Sequence, residues 1–400
     1  MNEQTLPLSG VRVLDLSRVL AGPQCAMVLG DLGAEVIKVE HPQRGDDTRD
    51  WGIKVGETQT TYFNSVNRNK RSVTVNLQSD AGRQVVLDLA KQSDVIIQNF
   101  KFGGAEKLGI GYQQIREVKP DIIYCSIAGY GTNGPEATRP GYDLVVQGES
   151  GLMSINGESS QPPLKFGVAV VDMFTGMYSA QAVLAALYSR QRTGEGRHIQ
   201  MALYDCGVMI SSYYGLESLL MKKDPPRFGN AHPSIVPYGV FDALDGRLVI
   251  TVGNNSQFQR FCCDVIDRQD LANDPRFATN LERTKHRTEL LAEINAEVAK
   301  RPRQQLLETL TAAGIPNGEV LGIYDALSSE RSAQAGLLHQ YSDPQAGDVK
   351  VLAPPYRFDS HRLPLRRPPP SLGEGTNDVL QDLLGMDDHQ ISALRSDGVI

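Results

Sequence analysis

Asp172 is the residue whose surroundings most suggest chemistry. It follows the apolar run Gly167-Val168-Ala169-Val170-Val171 and precedes Met173-Phe174-Thr175-Gly176. A carboxylate between two apolar stretches is either a helix N-cap, a position Asp favours, or a functional group, and the two roles are compatible. Backbone amides at a helix start would hold it ionised, and an ionised, partly desolvated carboxylate can act as a nucleophile. A second candidate is Arg18-Val19-Leu20-Ala21-Gly22-Pro23, either a plain strand-to-helix turn or a phosphate cradle at a helix N-terminus. Basic residues gather at Arg68, Lys70 and Arg71 and again at Lys101 and Lys107. Such charges either form a solvated face or, for the second group, contact an anion.

Other chemistries lack their signatures. There is no G-x-G-x-x-G dinucleotide fingerprint and no G-x-x-x-x-G-K-[ST] phosphate loop. H-E-x-x-H and the G-x-S-x-G elbow of α/β-hydrolases are missing too. The five cysteines, Cys25, Cys125, Cys206, Cys262 and Cys263, have no C-x-x-C spacing, so neither a disulfide framework nor a metal site is expected.

These residues need a frame. Val11–Leu16 reads as a strand, Pro23 suits the first turn of a helix, and Glu35–Val39 reads as a second strand. Strand, helix, strand in so short a span is a βαβ unit and implies a parallel sheet. The pattern continues with strands at Ser72–Leu77, Asp94–Gln98 and Asp121–Ile127 and helices at Ala81–Lys91 and Tyr112–Val118. The expectation is an open, doubly wound, Rossmann-like α/β sheet, whose ligands sit beyond the carboxyl ends of the strands. That singles out three loops: Arg18–Gly22, Asn99–Gly104, and the glycine-rich Gly129–Asp143. A long helix over Asp172–Gln191 and a strand over His198–Leu203 follow. Lys222-Lys223-Asp224-Pro225-Pro226 looks like a linker. Beyond it a hairpin (Tyr238–Phe241, Leu248–Val252) and several helices suggest a smaller α+β domain. The expected division is 1–222 with 334–400 as a discontinuous large domain and 223–333 as the small one. Pro364–Pro370 reads as a polyproline-like crossing, with short helices near Asn377 and His389.

Composition excludes some partners. Forty basic residues against 47 acidic ones give a net charge of −7, with no basic stripe of the kind nucleic-acid binders carry. No run of about 18 apolar residues marks a membrane span. Met1-Asn2-Glu3-Gln4-Thr5 has no basic, apolar leader pattern, and a cytoplasmic location is the expectation.

Taken in order, several segments resemble class III CoA-transferases. They are Val13–Pro23, Asp31–Glu40, Gly45–Arg49, Asn67–Ser72, Gly129–Gly131, Arg139–Asp143 and Pro369–Glu374, which together cover nearly the whole chain. The resemblance implies an interlocked homodimer, with the proline-rich tail as a crossing connection. It implies no tightly bound cofactor, a coenzyme A thioester as substrate, and Asp172 as the catalytic carboxylate that carries acyl and CoA groups in turn. CoA contacts implied by the resemblance fall on Leu20, Ala21, His41, the Val75–Gln78 stretch with Val75 and Asn76, Asn99, Phe100, Lys101, Lys107 and Tyr142. Lys101 and Lys107 would meet phosphates. Some relatives carry Arg where this chain has His41 and Lys107, and a neutral imidazole is a weaker phosphate partner.

Two departures narrow the activity. The related α-methylacyl-CoA racemases need a histidine base in Gly-His-Asp; here Gly141-Tyr142-Asp143 stands, and a tyrosine of ordinary pKa is a poor proton acceptor at neutral pH. The glycine-rich lid of the formyl-CoA transferase branch is replaced by Gly229–Tyr238 and Gly253–Phe258, which look closer to the succinate–hydroxymethylglutarate group. His232, Asn254 and Gln257 either position a distal carboxylate there or are hairpin and helix-cap residues. The expectation is transfer of CoA from succinyl-CoA to a short carboxylic or dicarboxylic acid. The alternatives are an acyl-CoA racemase or epimerase, and a non-catalytic CoA-binding protein.

Overall fold

The computed structural model describes residues 6–400. Its main sheet is built from β1 (Arg12–Asp15), β2 (Glu35–Glu40), β3 (Lys70–Thr74), β4 (Val95–Gln98), β5 (Ile123–Ala128) and β6 (Arg197–Ala202). All pair in parallel in the order β3-β2-β1-β4-β5-β6. A parallel sheet is covered on both faces, so its strands are apolar without alternation; Val95, Ile96 and Ile97 are all fully buried. Helices α1 (Ala21–Asp31), α2 (Asp80–Lys91), α3 (Tyr112–Val118), α4 (Asp143–Glu149) and α5 (Val170–Thr193) connect or flank the strands. Because β2 and β3 lie to one side of β1 and β4 to the other, the order reverses between β1 and β4. The crevice at their carboxyl ends is where such sheets bind ligands.

Among the described residues α5 is the one helix long and apolar enough to cross a membrane by length and composition. Here it packs on α1, and at Gly176 a Cβ would sit 2.7 Å from the Ala21 carbonyl oxygen.

The chain forms two compact units. One runs to Leu152 and takes in Phe166–Leu216 and Ser329–Ile400; the other comprises Met153–Lys165 and Glu217–Ser328. In the first, the C-terminal helices α6 (Thr376–Leu384) and α7 (Asp388–Ser396) bring Val379, Leu380 and Ile391 into one core with Leu14, Ile37, Val73 and Tyr124. The proline-rich tail is tied to the same unit. Asn69 Oδ1 accepts from the amides of Arg366 (2.9 Å) and Arg367 (3.0 Å), and Gln59 Nε2 donates to the Pro369 carbonyl (3.1 Å).

The second unit has a three-stranded antiparallel sheet, β7 (Tyr238–Ala243), β8 (Gly246–Thr251) and β9 (Asn317–Glu319). Its core joins Phe241, Leu248 and Ile250 to Phe258, Phe261, Leu290 and Leu306. Residues 153–165, placed in the large domain from sequence, belong to this unit. Arg227 donates to the carbonyls of Glu158 (3.2 Å) and Gln161, and the Gly229 amide donates to Gly157 (3.2 Å). A hairpin over β10 (Leu338–Asp343) and β11 (Gly347–Leu352) was not anticipated, because His339-Gln340-Tyr341-Ser342 breaks the apolar alternation that marks a strand.

Candidate functional site

The carboxyl ends of β1 and β2 rest on buried ion pairs. Lys70 Nζ lies 2.9 Å from Asp15 Oδ2 and also donates to the Pro23 carbonyl and Asn67 Oδ1, each at 2.9 Å. Lys38 Nζ lies 2.8 Å from Asp46 Oδ2 and donates to the Ser17 carbonyl at 2.9 Å. All four ionic side chains are fully buried. Burial holds the Lys70 ammonium down at about 8 even beside Asp15. Arg68 pairs with Asp31, likewise out of solvent, and Arg71 pairs with Glu35. The Arg68-Lys70-Arg71 cluster is therefore a set of structural ion pairs, not the solvated face such charges usually form.

These pairs shape the loop that follows β1. Val19 has φ +72°, a strained conformation for a β-branched residue. Its amide donates to Asp46 Oδ1 at 3.2 Å. Arg18 is clamped by Asn99, whose Oδ1 accepts from the Arg18 amide (2.8 Å) and whose Nδ2 donates to the Arg18 carbonyl (2.7 Å). Asn99 thus ties β4 to β1 across the point where the strand order reverses.

Above this base lies a cavity of about 300 Å³. Of the expected CoA contacts it brings together His41, Val75, Asn76 and Phe100, along with Gln78. It adds the guanidinium of Arg18, from the first of the three loops singled out in the sequence and paired with Asp47 at 3.4 Å, and that of Arg44, which the sequence did not single out. Burial and the neighbouring Arg44 lower the His41 pKa, so His41 is a neutral partner, and Arg44 is the guanidinium with no ion pair among the described residues. Arg44, three residues after His41, carried no motif signal. Leu20, Ala21, Asn99, Lys101, Lys107 and Tyr142 are outside the cavity lining. Lys101 and Lys107 are exposed and have no ion pair among the described residues. Tyr142 precedes α4 and is 66% exposed.

Asp172 is the third residue of α5, whose N-cap Ala169 offers no side-chain acceptor. The cap comes from elsewhere: Asp143 Oδ1 accepts from the amides of Val171 (2.8 Å) and Asp172 (3.2 Å). Gln147 Nε2 donates to Asp143 Oδ2, and Gln147 Oε1 accepts from the Phe166 amide at 2.8 Å. Sequence reading expected helix amides to keep Asp172 ionised. Instead those amides belong to Asp143, and burial followed by the Asp143 charge pushes Asp172 up to about 7. Ala169 packs against the Leu20, Met27 and Val66 cluster together with Val19 and Tyr62. The first turn of α5 therefore stands beside the switch-point loop. Tyr62 is itself raised by burial and by the Asp172 charge.

In the second unit, Asn254 caps the helix over Asn255–Arg260. Its Oδ1 accepts from the Gln257 amide (2.9 Å) and Ser256 Oγ (2.8 Å). Gln257 Oε1 accepts from the Gly253 amide at 2.8 Å. His232 Nδ1 accepts from the Ser234 amide at 3.0 Å, and its ring packs against Tyr238, 5.2 Å between centroids.

A strand-order reversal with a cavity that carries guanidinium groups, next to a partly buried carboxylate at a helix start, defines an α/β protein with a ligand crevice beside a potential nucleophile. The sequence profile of CoA-transferase family III matches residues 8–376. The chain is 41% identical over 394 residues to a mouse succinyl-CoA:glutarate CoA-transferase, covering 98% of this chain and 90% of that one. It is 40% identical over 383 residues to a succinate–glutarate CoA-transferase from Agrobacterium fabrum (94% and 96% covered). The crystal structure of a CAIB/BAIF family protein from Brucella suis superposes with a TM-score of 0.84 at 40% identity, covering 94% of this chain and 99% of the other. The protein belongs to CoA-transferase family III and is an enzyme of that class.

Proposed function

We propose that this enzyme moves CoA from succinyl-CoA to a short dicarboxylic acid, glutarate first among them, with Asp172 as the covalent carrier. The observation that carries the reading is the Asp172 carboxylate: partly buried, with no ion-pair partner among the described residues, and balanced between its protonated and ionised forms near neutrality. A carboxylate freed from strong solvation is a nucleophile that needs little desolvation on attack. The names of the mouse and Agrobacterium relatives support the donor and acceptor.

The sequence of bonds follows from the need to keep the thioester's activation without another energy source. An Asp172 oxygen attacks the succinyl carbonyl, the C–S bond breaks, and CoA leaves as thiolate. The thiolate then attacks the Asp172 carbonyl of the mixed anhydride and expels succinate, leaving an aspartyl-CoA thioester. The acceptor's carboxylate attacks that thioester and expels the thiolate again. In the last step the thiolate attacks the acceptor's carbonyl and returns Asp172 as a free carboxylate. Water must be excluded while either anhydride exists. Arg18 and Arg44 hold the nucleotide end of CoA, with Val75, Asn76 and Phe100 along it and His41 as a neutral hydrogen-bonding partner. The exposed Lys101 and Lys107 reach phosphates from the rim, with the Leu20-Ala21 backbone and Tyr142 nearer the acyl end. In the second unit, His232, Asn254 and Gln257 are the candidate contacts for an acceptor carboxylate. The protein works as an interlocked homodimer in the cytoplasm. Exposed Met173, Phe174, Met177, Tyr188, Met209 and Leu216 supply an apolar face for a second copy.

The test is CoA transfer from succinyl-CoA to glutarate, citramalate, itaconate, mesaconate, malate, hydroxymethylglutarate and oxalate, with hydroxylamine trapping under turnover. The expected results are a preference for glutarate, an adduct on Asp172, and an inactive Asp172→Ala variant. Retained turnover in that variant refutes the covalent route. Deuterium entering the α-carbon of an acyl-CoA would instead indicate a racemase.

A further inference from the structure

The loop between β5 and α4 is closed at its base by two glycines. A Cβ on Gly141 would lie 2.7 Å from the Gly129 Cα, and one on Gly129 would lie 2.6 Å from the Gly141 nitrogen. Only glycine lets the backbones touch there. The Tyr204 amide fixes the same base by donating to the Gly129 carbonyl at 3.0 Å. Asp143, two residues past Gly141, is thus delivered from the carboxyl end of β5 to the start of α5. Its two oxygens are both assigned: Oδ1 to the amides of Val171 and Asp172, Oδ2 to the fully buried Gln147.

That arrangement has a chemical consequence. A carboxylate at the third position of a helix can reach back to the free amides of the first turn, as in a capping box. A carboxylate bonded to such amides is stabilised as the anion and is a weaker nucleophile. Here the amides are already taken, so the Asp172 carboxylate makes no hydrogen bond to them and stands free. The charge of Asp143 also acts on Asp172, and Tyr62 is the other titratable group that interacts with it.

We propose that Asp143 is a positioning residue of the transfer reaction: by capping α5 in place of Asp172, it keeps the Asp172 carboxylate off the helix amides and free to attack. This rests on the reading of Asp172 as the nucleophile.

The test compares Asp143→Ala with Asp143→Asn for kcat, for donor KM, and for the acid limb of the kcat–pH profile. Asp143→Ala frees the amides, and kcat should fall at least tenfold while donor KM stays within twofold. Asp143→Asn keeps an oxygen for the amides and should retain kcat within about fivefold. Having lost the charge, it should move the acid limb down by about one pH unit. Should the alanine variant fail to fold, the asparagine variant's acid limb remains the deciding readout. Wild-type kcat in Asp143→Ala overturns the inference, as does an acid limb in Asp143→Asn that does not move. Asp172→Ala, run alongside, separates the two ideas. Activity there sinks the nucleophile reading, whereas an inactive Asp172→Ala with unaltered Asp143 variants sinks this inference alone.

Discussion

Replacing Asp172 by asparagine should abolish CoA transfer and stabilise the protein, and the gain should depend on pH. In the folded chain burial and the Asp143 charge raise Asp172 from 3.8 to about 7. An acid that holds its proton more tightly folded than unfolded makes the fold lose stability as pH rises from the unfolded value to the folded one. Three units at 1.36 kcal/mol each set an upper figure of about 4 kcal/mol, fully developed by pH 8. At pH 5 only about a third of it has developed, because little more than one unit of the window has been crossed. Asparagine has no charge to bury, so Asp172→Asn should melt higher than wild type by about 6–8 °C at pH 8, taking about 1.5 to 2 °C per kcal/mol for a unit of this size. The difference should shrink to about 2 °C at pH 5. Calorimetry at the two pH values checks this. A difference in Tm that is the same at both, or a variant that melts lower at pH 8, would refute the claim that Asp172 is held in the folded protein at an energetic cost.

Three other perturbations bear on the site. Lys70→Met leaves Asp15 buried without its cation and should destabilise the large unit by about 3–5 kcal/mol, read as a lower denaturation midpoint in urea. Gly176→Ala puts a methyl against the Ala21 carbonyl and the Gln24 side chain, both 2.7 Å from the new Cβ. It should cost about 1–3 kcal/mol and lower kcat, because the same contact sets Asp172 beside the switch-point loop. Arg44→Ala should raise KM for the CoA thioester about tenfold, as expected for one lost charged hydrogen bond of about 1.4 kcal/mol, with kcat little changed. Steady-state kinetics across donor concentrations decides the last.

Much of the fold was legible because parallel strands advertise themselves. Val95-Ile96-Ile97 and Val36-Ile37 are short apolar runs between polar punctuation, and each is followed or preceded by a helix with a recognisable start. Asp172 was legible for the opposite reason, as a charge with apolar residues on both sides. The hairpin over β10 and β11 was hidden by polar residues on strands that are only partly buried. Residues 153–165 were misassigned because their attachment is made by Arg227, some 66 positions later in the chain from Gln161. No local pattern carries a contact of that range. Asp143 was visible as part of Arg139–Asp143, yet its role depends on a helix that begins only at Val170.

The buried charges pose the sharper question, since a pair such as Lys38–Asp46 or Lys70–Asp15 costs desolvation that its attraction does little more than offset. What these pairs do is bind backbone. Lys38 takes the Ser17 carbonyl, Lys70 takes the Pro23 carbonyl, and Asp46 takes the Val19 amide, all within seven residues that turn from β1 into α1. A strained Val19 persists only where its surroundings over-determine it, and here two lysines and one aspartate do so from below while Asn99 clamps Arg18 from β4. Apolar replacements would pack the same space but leave those backbone groups without partners, at about 1–3 kcal/mol for each. The ion pairs are therefore best understood as fixtures for the loop beside Asp172, which explains why charges that look like a surface cluster in sequence lie beneath the site.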